Sequence, residues 1–420
     1  MIPAGAPSQK TPRRFTWFTA ISAIHDPGAM RDLVDSYAAP LRALGGETWD
    51  PGTGRPGVPL VVFVATGGTE RQILEAARFD AREPALLVAY PGHNSLPAAL
   101  EVLARVQQQG IRGQVHYLCG PGDEDGLRKL AEAIDDRSVR HALLQSRIGM
   151  VGQPSDWLVA SSPTLETVRE VWGPTVIPLG LESILAEPDV EAVARGEAVA
   201  RDFRAGAAAL VEPTESDLLA AGRVHALLRR LVDAERLDAV AVRCFDLVVR
   251  QRTTGCLALA RLNEQGTIAG CEGDLVATVA MLWLQRMIGK TPWMANPSGI
   301  DPERGILSLA HCTVPRTLSG AYRLRSHFES GLGVGIQGTM PAGPVTLVRI
   351  GGERMERLRA LDGQLLRNTD HPDLCRTQVE VDVGRHAVQD LLAQPLGNHR
   401  VVVPGHHAAA LERWHQAMIA

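Results

Sequence analysis

A short apolar run, a glycine-rich loop and a helical pattern follow one another three times in the first third of this 420-residue chain. The runs are residues 60–65, 85–90 and 114–118, and each is followed by a turn rich in Gly, Pro, Asn or Ser. Strands separated by helices pair in parallel, because the helix carries the chain back to the start of the sheet. The sequence therefore predicts an α/β fold with a parallel sheet, whose ligands bind at the carboxyl ends of the strands.

Two polar loops, residues 66–69 and 93–95, fall at the predicted ligand-binding edge of this sheet. Gly, Asn and Ser are also the residues that turns prefer for conformational reasons. The sequence therefore supports a ligand-binding role and a purely structural role for these loops equally.

A second α/β segment starts near Ser146, and the pattern changes again in the last third of the chain. The predicted strands and helices of the second segment are 147–151, 158–160, 164–171, 190–211, 215–233 and 239–245. In the last third, short apolar runs at 306–310, 345–350, 378–383 and 400–403 are separated by Gly and Pro turns. Short strands with few helices between them predict an antiparallel β-barrel or sandwich.

The charge balance argues against a protein whose main activity is binding nucleic acid or an anionic membrane. The chain has 43 Lys and Arg against 47 Asp and Glu, and its lysines are Lys10, Lys129 and Lys290. No apolar run reaches the length of about 18 residues that predicts a membrane span. Basic residues precede the apolar stretch 15–24, but no small-residue cleavage site follows, so we expect a first strand there. The six cysteines form no CxxC pair, which favours reduced thiols in a cytoplasmic protein.

Carboxylate and imidazole side chains stand at the ends of predicted elements. Glu272 lies at a strand-to-helix turn before a helix that the sequence predicts to be buried, so its carboxylate should be paired or bound to a metal. Asp274 occupies a natural helix N-cap position, and capping explains it. His311 closes a predicted strand and His399 opens one. Single histidines at such places are more often structural, but one carboxylate and two imidazoles together suit a divalent metal such as Mn²⁺ or Co²⁺.

Seven short motifs carry a resemblance to a known family. They are residues 149–157 (GMVGQPSDW), 244–247 (CFDL), 271–274 (CEGD), 310–312 (AHC), 327–331 (HFESG), 338–343 (GTMPAG) and 397–399 (GNH). In this order and spacing, they resemble the L-fucose/L-arabinose isomerase superfamily over residues 145–410.

The resemblance implies two Rossmann-like α/β domains, residues 1–144 and 145–290, followed by an antiparallel β-barrel domain, residues 291–420. It implies a metal-dependent aldose–ketose isomerase that works through a cis-enediol, usually with Mn²⁺ and alternatively with Co²⁺ or Mg²⁺. In this chemistry the metal acts as a Lewis acid, and a metal-bound carboxylate moves a proton between C1 and C2. A neighbouring subunit's first domain covers the site, which implies a homotrimer or homohexamer.

The resemblance also implies roles for individual residues. Glu272 matches the first family carboxylate, which is both a metal ligand and the base. His399 matches the C-terminal histidine ligand, and His311 matches a histidine ligand of the arabinose branch.

Asn296 falls where the family has its second carboxylate, and we assign it to the metal-binding and catalytic set. An amide oxygen can bind a metal, but an amide cannot shuttle a proton. Three alternatives follow from this departure. Glu272 is the sole base; or Asp274 or Asp301 supplies the second acid; or the chain performs another sugar chemistry or binds sugar without catalysis.

The predicted substrate contacts come from loops and strand ends. They are His93 and Asn94 of a neighbouring subunit, together with Arg147, Gln153, Trp157, Gln337 and Arg376. Arginines near the site would suit an anionic sugar. The predicted function is therefore an isomerase of a free or modified monosaccharide, and the alternative is a sugar-binding or sensing protein on the same scaffold.

Overall fold

The computed structural model describes residues 13–54 and 57–420, and the chain divides into two compact units. The first unit ends at Leu143 and includes Gln416–Ala420, and the second spans Leu144–His415. Lys10 lies outside the described residues. The predicted boundary at residue 290 falls inside the second unit, and the three-domain division stays a prediction.

The first unit contains a parallel five-stranded sheet in the order β2-β1-β3-β4-β5. Its strands are β1 (Phe15–Ala20), β2 (Gly46–Thr48), β3 (Leu60–Val64), β4 (Ala85–Ala89) and β5 (Gly113–Tyr117). The helices that follow these strands are α1 (Pro27–Ala43), α2 (Glu70–Ala77), α3 (Ser95–Gln108) and α4 (Glu124–Gln145). All residues of β4 are buried, as expected for a strand with helices on both faces of its sheet.

The second unit begins with a parallel four-stranded sheet in the order β7-β6-β8-β9. Its strands are β6 (Arg147–Val151), β7 (Thr175–Leu179), β8 (Ala239–Val242) and β9 (Ile268–Gly270). Its helices are α5 (Leu165–Thr167), which runs into a π-helical turn (Val168–Trp172), α6 (Glu182–Leu185), α7 (Val190–Gly206), α8 (Glu215–Glu235), α9 (Phe245–Gln251), α10 (Cys256–Glu264) and α11 (Leu275–Ile288).

The strand predicted at residues 158–160 is wrong. These residues lie in two successive turns, in which the amide of Leu158 donates to the carbonyl of Ser155 and the amide of Ser161 donates to the carbonyl of Leu158. Val159 is 89% exposed, so its β-branched side chain has no sheet to pack against. An apolar run of three residues is too short to distinguish a strand from a turn.

Helix α11 is the most apolar helix of the second unit, and its residues 275–284 are all buried. It begins at Asp274, whose side chain accepts a hydrogen bond from the amide of Ala277, and it ends at Gly289 with a left-handed backbone (φ 73°). Within the described ranges, no helix is both long and apolar enough to cross a membrane.

A closed antiparallel barrel follows, in the order β10-β11-β16-β15-β14-β17, beside a two-stranded sheet of β12 and β13. The strands are β10 (Trp293–Asp301), β11 (Ile306–His311), β12 (Ala321–Arg325), β13 (Gly335–Thr339), β14 (Gly343–Gly351), β15 (Arg357–Asn368), β16 (Thr377–Asp382) and β17 (Arg400–Pro404). The helices α12 (Arg385–Ala393) and α13 (Ala408–Met418) flank β17. The predicted fold class, two parallel α/β sheets followed by an antiparallel barrel, is confirmed.

Candidate metal centre

A cavity of about 510 Å³ lies in the second unit, where the carboxyl ends of β8 and β9 meet the barrel strands β10 and β11. Its wall combines carboxylate, imidazole, amide, thiol and aromatic side chains. It is lined by Trp157, Cys244, Phe245, Val248, Thr254, Gly255, Cys256, Cys271, Glu272, Asn296, Pro297, Ser298, Ala310, His311, Cys312, His327, Phe328, Glu329, Leu374, Cys375 and Asn398.

Three buried side chains from different elements converge at this cavity: Glu272 and His311 line it, and His399 lies next to Glu272. Glu272 follows β9, His311 ends β11 and His399 precedes β17. Each offers one ligand atom, and these atoms all lie within 4.8 Å of one another. The three residues are 8%, 3% and 0% exposed, respectively. One carboxylate oxygen and two imidazole nitrogens in this arrangement can hold a divalent transition metal.

Glu272 is held in a left-handed backbone conformation (φ 62°), which is unusual for a residue other than glycine. Its amide donates to Sγ of Cys244 over 3.4 Å, and its carbonyl accepts from the amide of Ser155 over 3.0 Å. Gly273 continues the turn with φ 68°, and a Cβ there would lie 2.7 Å from the carbonyl oxygen of Gln153. Strain of this kind is concentrated at functional sites.

His399 is oriented by Asp274. Nδ1 of His399 donates to the fully buried carboxylate of Asp274 over 2.8 Å. This bond directs Nε2 towards Glu272, at 3.4 Å from Oε1. Nε2 is buried and has no hydrogen-bond partner with good geometry. This nitrogen lies close to the carboxylate of Glu272 and the imidazole of His311. The residues present therefore fit a divalent metal, with Asp274 as the partner that fixes the ring.

Asp274 has more than the capping role that the sequence predicts. One carboxylate oxygen caps α11, and the other holds His399 and lies 3.5 Å from the buried guanidinium of Arg349. These bonds leave it no contact with the cavity. Asp301 lies at the far end of β10 and caps the turn that contains Arg304. Neither aspartate lines the cavity, and a second acid supplied by either one stays a prediction.

The pKa values of the three converging residues are displaced in different directions. Burial lowers the pKa of His311 to about 4, helped by the neighbouring His399. Burial also acts to lower the pKa of His399, but the hydrogen bond to Asp274 and the nearby carboxylate of Glu272 outweigh it and raise this pKa to about 9. Burial acts to raise the pKa of Glu272, and the nearby imidazole of His399, together with His311 and Trp157, more than offsets it, so the net shift is downward. At neutral pH the metal-free site holds an imidazolium beside carboxylates and a neutral His311.

We expect metal binding to be coupled to the release of a proton from His399. A metal at Nε2 must displace the proton that is bound below about pH 9. The apparent affinity for Mn²⁺ should therefore rise by about tenfold per pH unit through neutral pH and level off as the pH passes the pKa of His399. Calorimetry in two buffers of different ionisation enthalpy measures both the affinity and the proton release. An affinity independent of pH would contradict the assignment of His399 as a ligand.

Two further predicted residues reach the cavity. Oδ1 of Asn296 accepts from Nδ2 of Asn398 over 2.8 Å, so the amide of Asn296 is oriented at the wall. Nε1 of Trp157 donates to Oε2 of Glu272 over 2.6 Å, and its ring meets Phe245 edge-on at 5.0 Å. Trp157 is 52% exposed, so one part of its ring remains available for contact with a ligand.

Arg147 and Gln153 are not brought to the wall of this cavity. Arg147 opens β6, at the amino end of the parallel sheet, and its guanidinium donates to the carbonyl of Glu235. The cavity lies at the opposite, carboxyl end of the sheet. Gln153 lies in the loop after β6, at the carboxyl end of the sheet, where the cavity also lies. Its side chain is exposed, however, and its carbonyl faces Gly273.

Gln337 and Arg376 are buried, and both side chains form hydrogen bonds with residues outside the cavity wall. Nε2 of Gln337 donates to Asp370 over 2.8 Å, and Nε of Arg376 donates to the carbonyl of Ser326 over 2.6 Å. Neither residue lines the cavity. As substrate contacts, both remain predictions.

His93 and Asn94 lie in the first unit, in the loop between β4 and α3. Both are exposed and have left-handed backbones (φ 48° and 54°). Nδ1 of His93 is 2.8 Å from the hydroxyl of Tyr90. Their contribution to a neighbouring subunit's site, and with it the homotrimer or homohexamer, stays a prediction.

Sequence analysis missed several residues of the wall. Glu329 is exposed and lines the cavity, and His327 beside it is buried with Nδ1 at 3.1 Å from the hydroxyl of Ser330. Both lie in the HFESG motif, so the motif marks the cavity although no role was assigned to these side chains. The wall also includes five of the six cysteines of the chain: Cys244, Cys256, Cys271, Cys312 and Cys375.

Comparison with known proteins links the chain to sugar isomerases. No family model matches it. A sulfoquinovose isomerase of Priestia aryabhattai is 23% identical over 292 residues, which cover 66% of this chain and 63% of that protein. A sulfoquinovose isomerase of Clostridium sp. (strain MSTE9) is 24% identical over 315 residues, which cover 71% of this chain and 68% of that protein. One of Alkalicoccus urumqiensis is 28% identical over 135 residues, or 30% of this chain and 29% of that protein.

Proposed function

We propose that this chain is an aldose–ketose isomerase that acts on a monosaccharide with a divalent metal held by Glu272, His311 and His399. The observation that carries the proposal is the convergence of these three buried side chains beside a cavity large enough for a sugar, which Glu272 and His311 line. The names of the relatives support the same class of reaction. The mixed oxygen and nitrogen donors suit Mn²⁺, with Co²⁺ or Mg²⁺ as alternatives.

Glu272 is the group that we expect to accept the proton from the carbon next to the sugar carbonyl. Its low pKa keeps it ionised at neutral pH, and the indole of Trp157 fixes one of its oxygens. When bound, the metal would polarise the sugar oxygens and stabilise negative charge that develops on them. The remaining work of the chain is to hold Glu272 ionised and oriented, and to shield the site from bulk water.

Glu329 is our proposal for the second proton-transfer group. Asn296 cannot transfer a proton, and Asp274 and Asp301 do not reach the wall. Among the described residues that line the cavity, the carboxylates are Glu272 and Glu329. An acid on the wall that is not engaged with the imidazoles could carry the proton to or from a sugar hydroxyl.

Glu329→Gln should therefore lower kcat by about 10²-fold while leaving Mn²⁺ affinity unchanged, because the residue is outside the metal-binding set. Steady-state kinetics and a metal titration separate the two effects. Glu303→Gln, in the exposed turn between β10 and β11, is the matched control and should retain full activity. Wild-type kcat in the Glu329 variant would remove Glu329 from the mechanism.

Asn296→Asp should tighten Mn²⁺ binding by about tenfold or more, since it adds a negative charge at the wall of the metal site. Its effect on the rate distinguishes between two explanations of the asparagine. A faster variant would mean that Asn296 replaces a lost catalytic acid. A slower one would mean that the neutral amide is matched to this substrate. Unchanged metal affinity would place Asn296 outside the metal site.

The relatives' name directs the first assay to a sulfonated sugar. Among the described residues that line the cavity there is no arginine or lysine, so a sulfonate would need cationic groups from beyond this wall. We therefore propose a paired assay with sulfoquinovose and with glucose, which carries a hydroxyl group in place of the sulfonate.

The deciding experiment loads the purified protein with Mn²⁺ and follows aldose-to-ketose conversion in D₂O. An isomerase that works by proton transfer incorporates deuterium next to the carbonyl as it converts the sugar. Binding of either sugar without conversion or deuterium incorporation would favour a sugar-binding or sensing protein instead. Absence of bound metal after loading would overturn the proposed centre itself.

A further inference from the structure

The cavity that holds the proposed metal centre is also rich in thiols. Five of the six cysteines of the chain line it, and the sixth, Cys119, is exposed in the first unit. Within this group, the sulfur atoms of Cys244 and Cys271 lie 3.0 Å apart. Both are reduced thiols, both are about 95% buried, and both line the cavity.

The sheet brings the two cysteines together. Cys271 directly follows β9, and the parallel pairing of β8 with β9, with Ala241 opposite Gly270, brings the end of β8 beside it. Cys244 comes two residues after β8, in a tight turn in which its amide donates to the carbonyl of Val242 over 2.8 Å. A disulfide has a sulfur–sulfur bond of about 2.05 Å. A sulfur displacement of about 1 Å therefore closes the bond, without rearrangement of the sheet.

Both cysteines are in direct contact with the backbone of Glu272. Cys271 directly precedes Glu272, and Sγ of Cys244 accepts the hydrogen bond from the amide of Glu272 over 3.4 Å. Closing the bond moves both sulfurs and changes this hydrogen bond. Glu272 is in a left-handed conformation that depends on such neighbours, so its carboxylate would move with respect to His311 and His399.

We propose that Cys244 and Cys271 are a reversible oxidation site, which hydrogen peroxide converts to a disulfide and which weakens the metal centre when it is oxidised. One sulfur attacks a peroxide oxygen to form a sulfenic acid, and one water leaves. The second sulfur then attacks the sulfenic sulfur, the S–S bond forms and a second water leaves. Two thiols are oxidised, one hydrogen peroxide is reduced to two waters, and a thiol reductant reverses the change.

The effect on the metal centre rests on the proposed function, whereas the disulfide itself does not. The test therefore uses the metal-free full chain and two readouts. Treatment with hydrogen peroxide followed by peptide mapping should give one cross-linked species joining Cys244 to Cys271, with the loss of two hydrogens. The oxidised protein should bind Mn²⁺ about 10–100-fold more weakly, the scale on which lost support of a ligand acts, and reduction should restore the affinity.

Three cysteine variants test whether this pair is responsible for the effect of peroxide. Cys244→Ala and Cys271→Ser should each abolish the effect of peroxide on Mn²⁺ affinity, and two variants are used in case one does not fold. Cys119→Ser keeps the pair and should respond as the wild type does. A link between Cys312 and Cys375 instead, no link at all, or a Cys244–Cys271 link without change in Mn²⁺ affinity would each overturn the proposal. Reduced protein that binds no Mn²⁺ would overturn the proposed function, while the peptide map would still judge the cysteine pair by itself.

Discussion

Replacing Glu272 by glutamine is expected to lower turnover by at least about 10²–10⁴-fold, the usual effect of losing a general base. The amide has nearly the same shape and can still accept the hydrogen bond from Trp157, but it cannot accept a proton as a carboxylate does. Loss of the negative charge also weakens metal binding and removes one of the two carboxylates that raise the pKa of His399. Both effects add to the loss of the base.

The measurement needs saturating Mn²⁺, so that loss of the base is separated from loss of the metal. Circular dichroism and the thermal midpoint should stay close to those of the wild type, because the substitution leaves the packing unchanged. Glu303→Gln is again the matched control, since it makes the same chemical change at an exposed turn. Wild-type turnover in the Glu272 variant at saturating metal would show that the mechanism does not use this residue.

The parts of the fold that could be predicted from the sequence are those specified by local patterns. Strand, loop and helix alternate on a scale of about 30 residues, and β3, β4 and β6 lie within a residue or two of their predicted positions. The short strand predicted at 158–160 failed because nothing in three residues reports whether a sheet lies beside them. Local patterns therefore identify a sheet by its repetition, and they are weakest for single short runs.

The converging triad was predictable in part, because carboxylates and imidazoles at strand ends are visible in one dimension. The hydrogen bond that orients His399 was not predictable, because its partner, Asp274, lies 125 residues away in the chain. Asp274 also caps α11, and that local role was sufficient to explain it. A polar residue with a local explanation can have a second, long-range role that only the tertiary structure reveals.

Arg147 lies away from the cavity, and its place in the sequence already indicates this position. It opens β6, and the carboxyl-end rule for parallel sheets already places its side chain away from the ligand. The thiols could not have been anticipated in the same way. Cys244 and Cys271 are brought together by the pairing of β8 with β9 and by the turn that follows β8, which sequence spacing does not specify.

Arg349→Met is expected to destabilise the protein by about 3–5 kcal/mol, the usual effect of breaking a buried ion pair. Arg349 lies in β14 and is 2% exposed, and its guanidinium lies 3.5 Å from Asp274. It also donates to the hydroxyl of Ser161 over 2.5 Å and to the carbonyl of Leu396 over 3.1 Å. Methionine fills similar space but donates nothing, so a buried carboxylate and several acceptors lose their partner.

The expected measurement is a fall in the midpoint of thermal unfolding of ~5–10 °C by calorimetry. Arg367→Met on β15 is the matched control, because its ion pair with Glu380 is solvent-exposed on the arginine side, and its midpoint should be unchanged. Because Arg349 stabilises the ionised form of Asp274, the variant should also weaken the orientation of His399 and with it the affinity for Mn²⁺. A variant with the midpoint of the wild type would mean that Arg349 does not compensate the charge of Asp274, and that His399 and the amide of Ala277 suffice to stabilise this carboxylate beside the proposed metal centre.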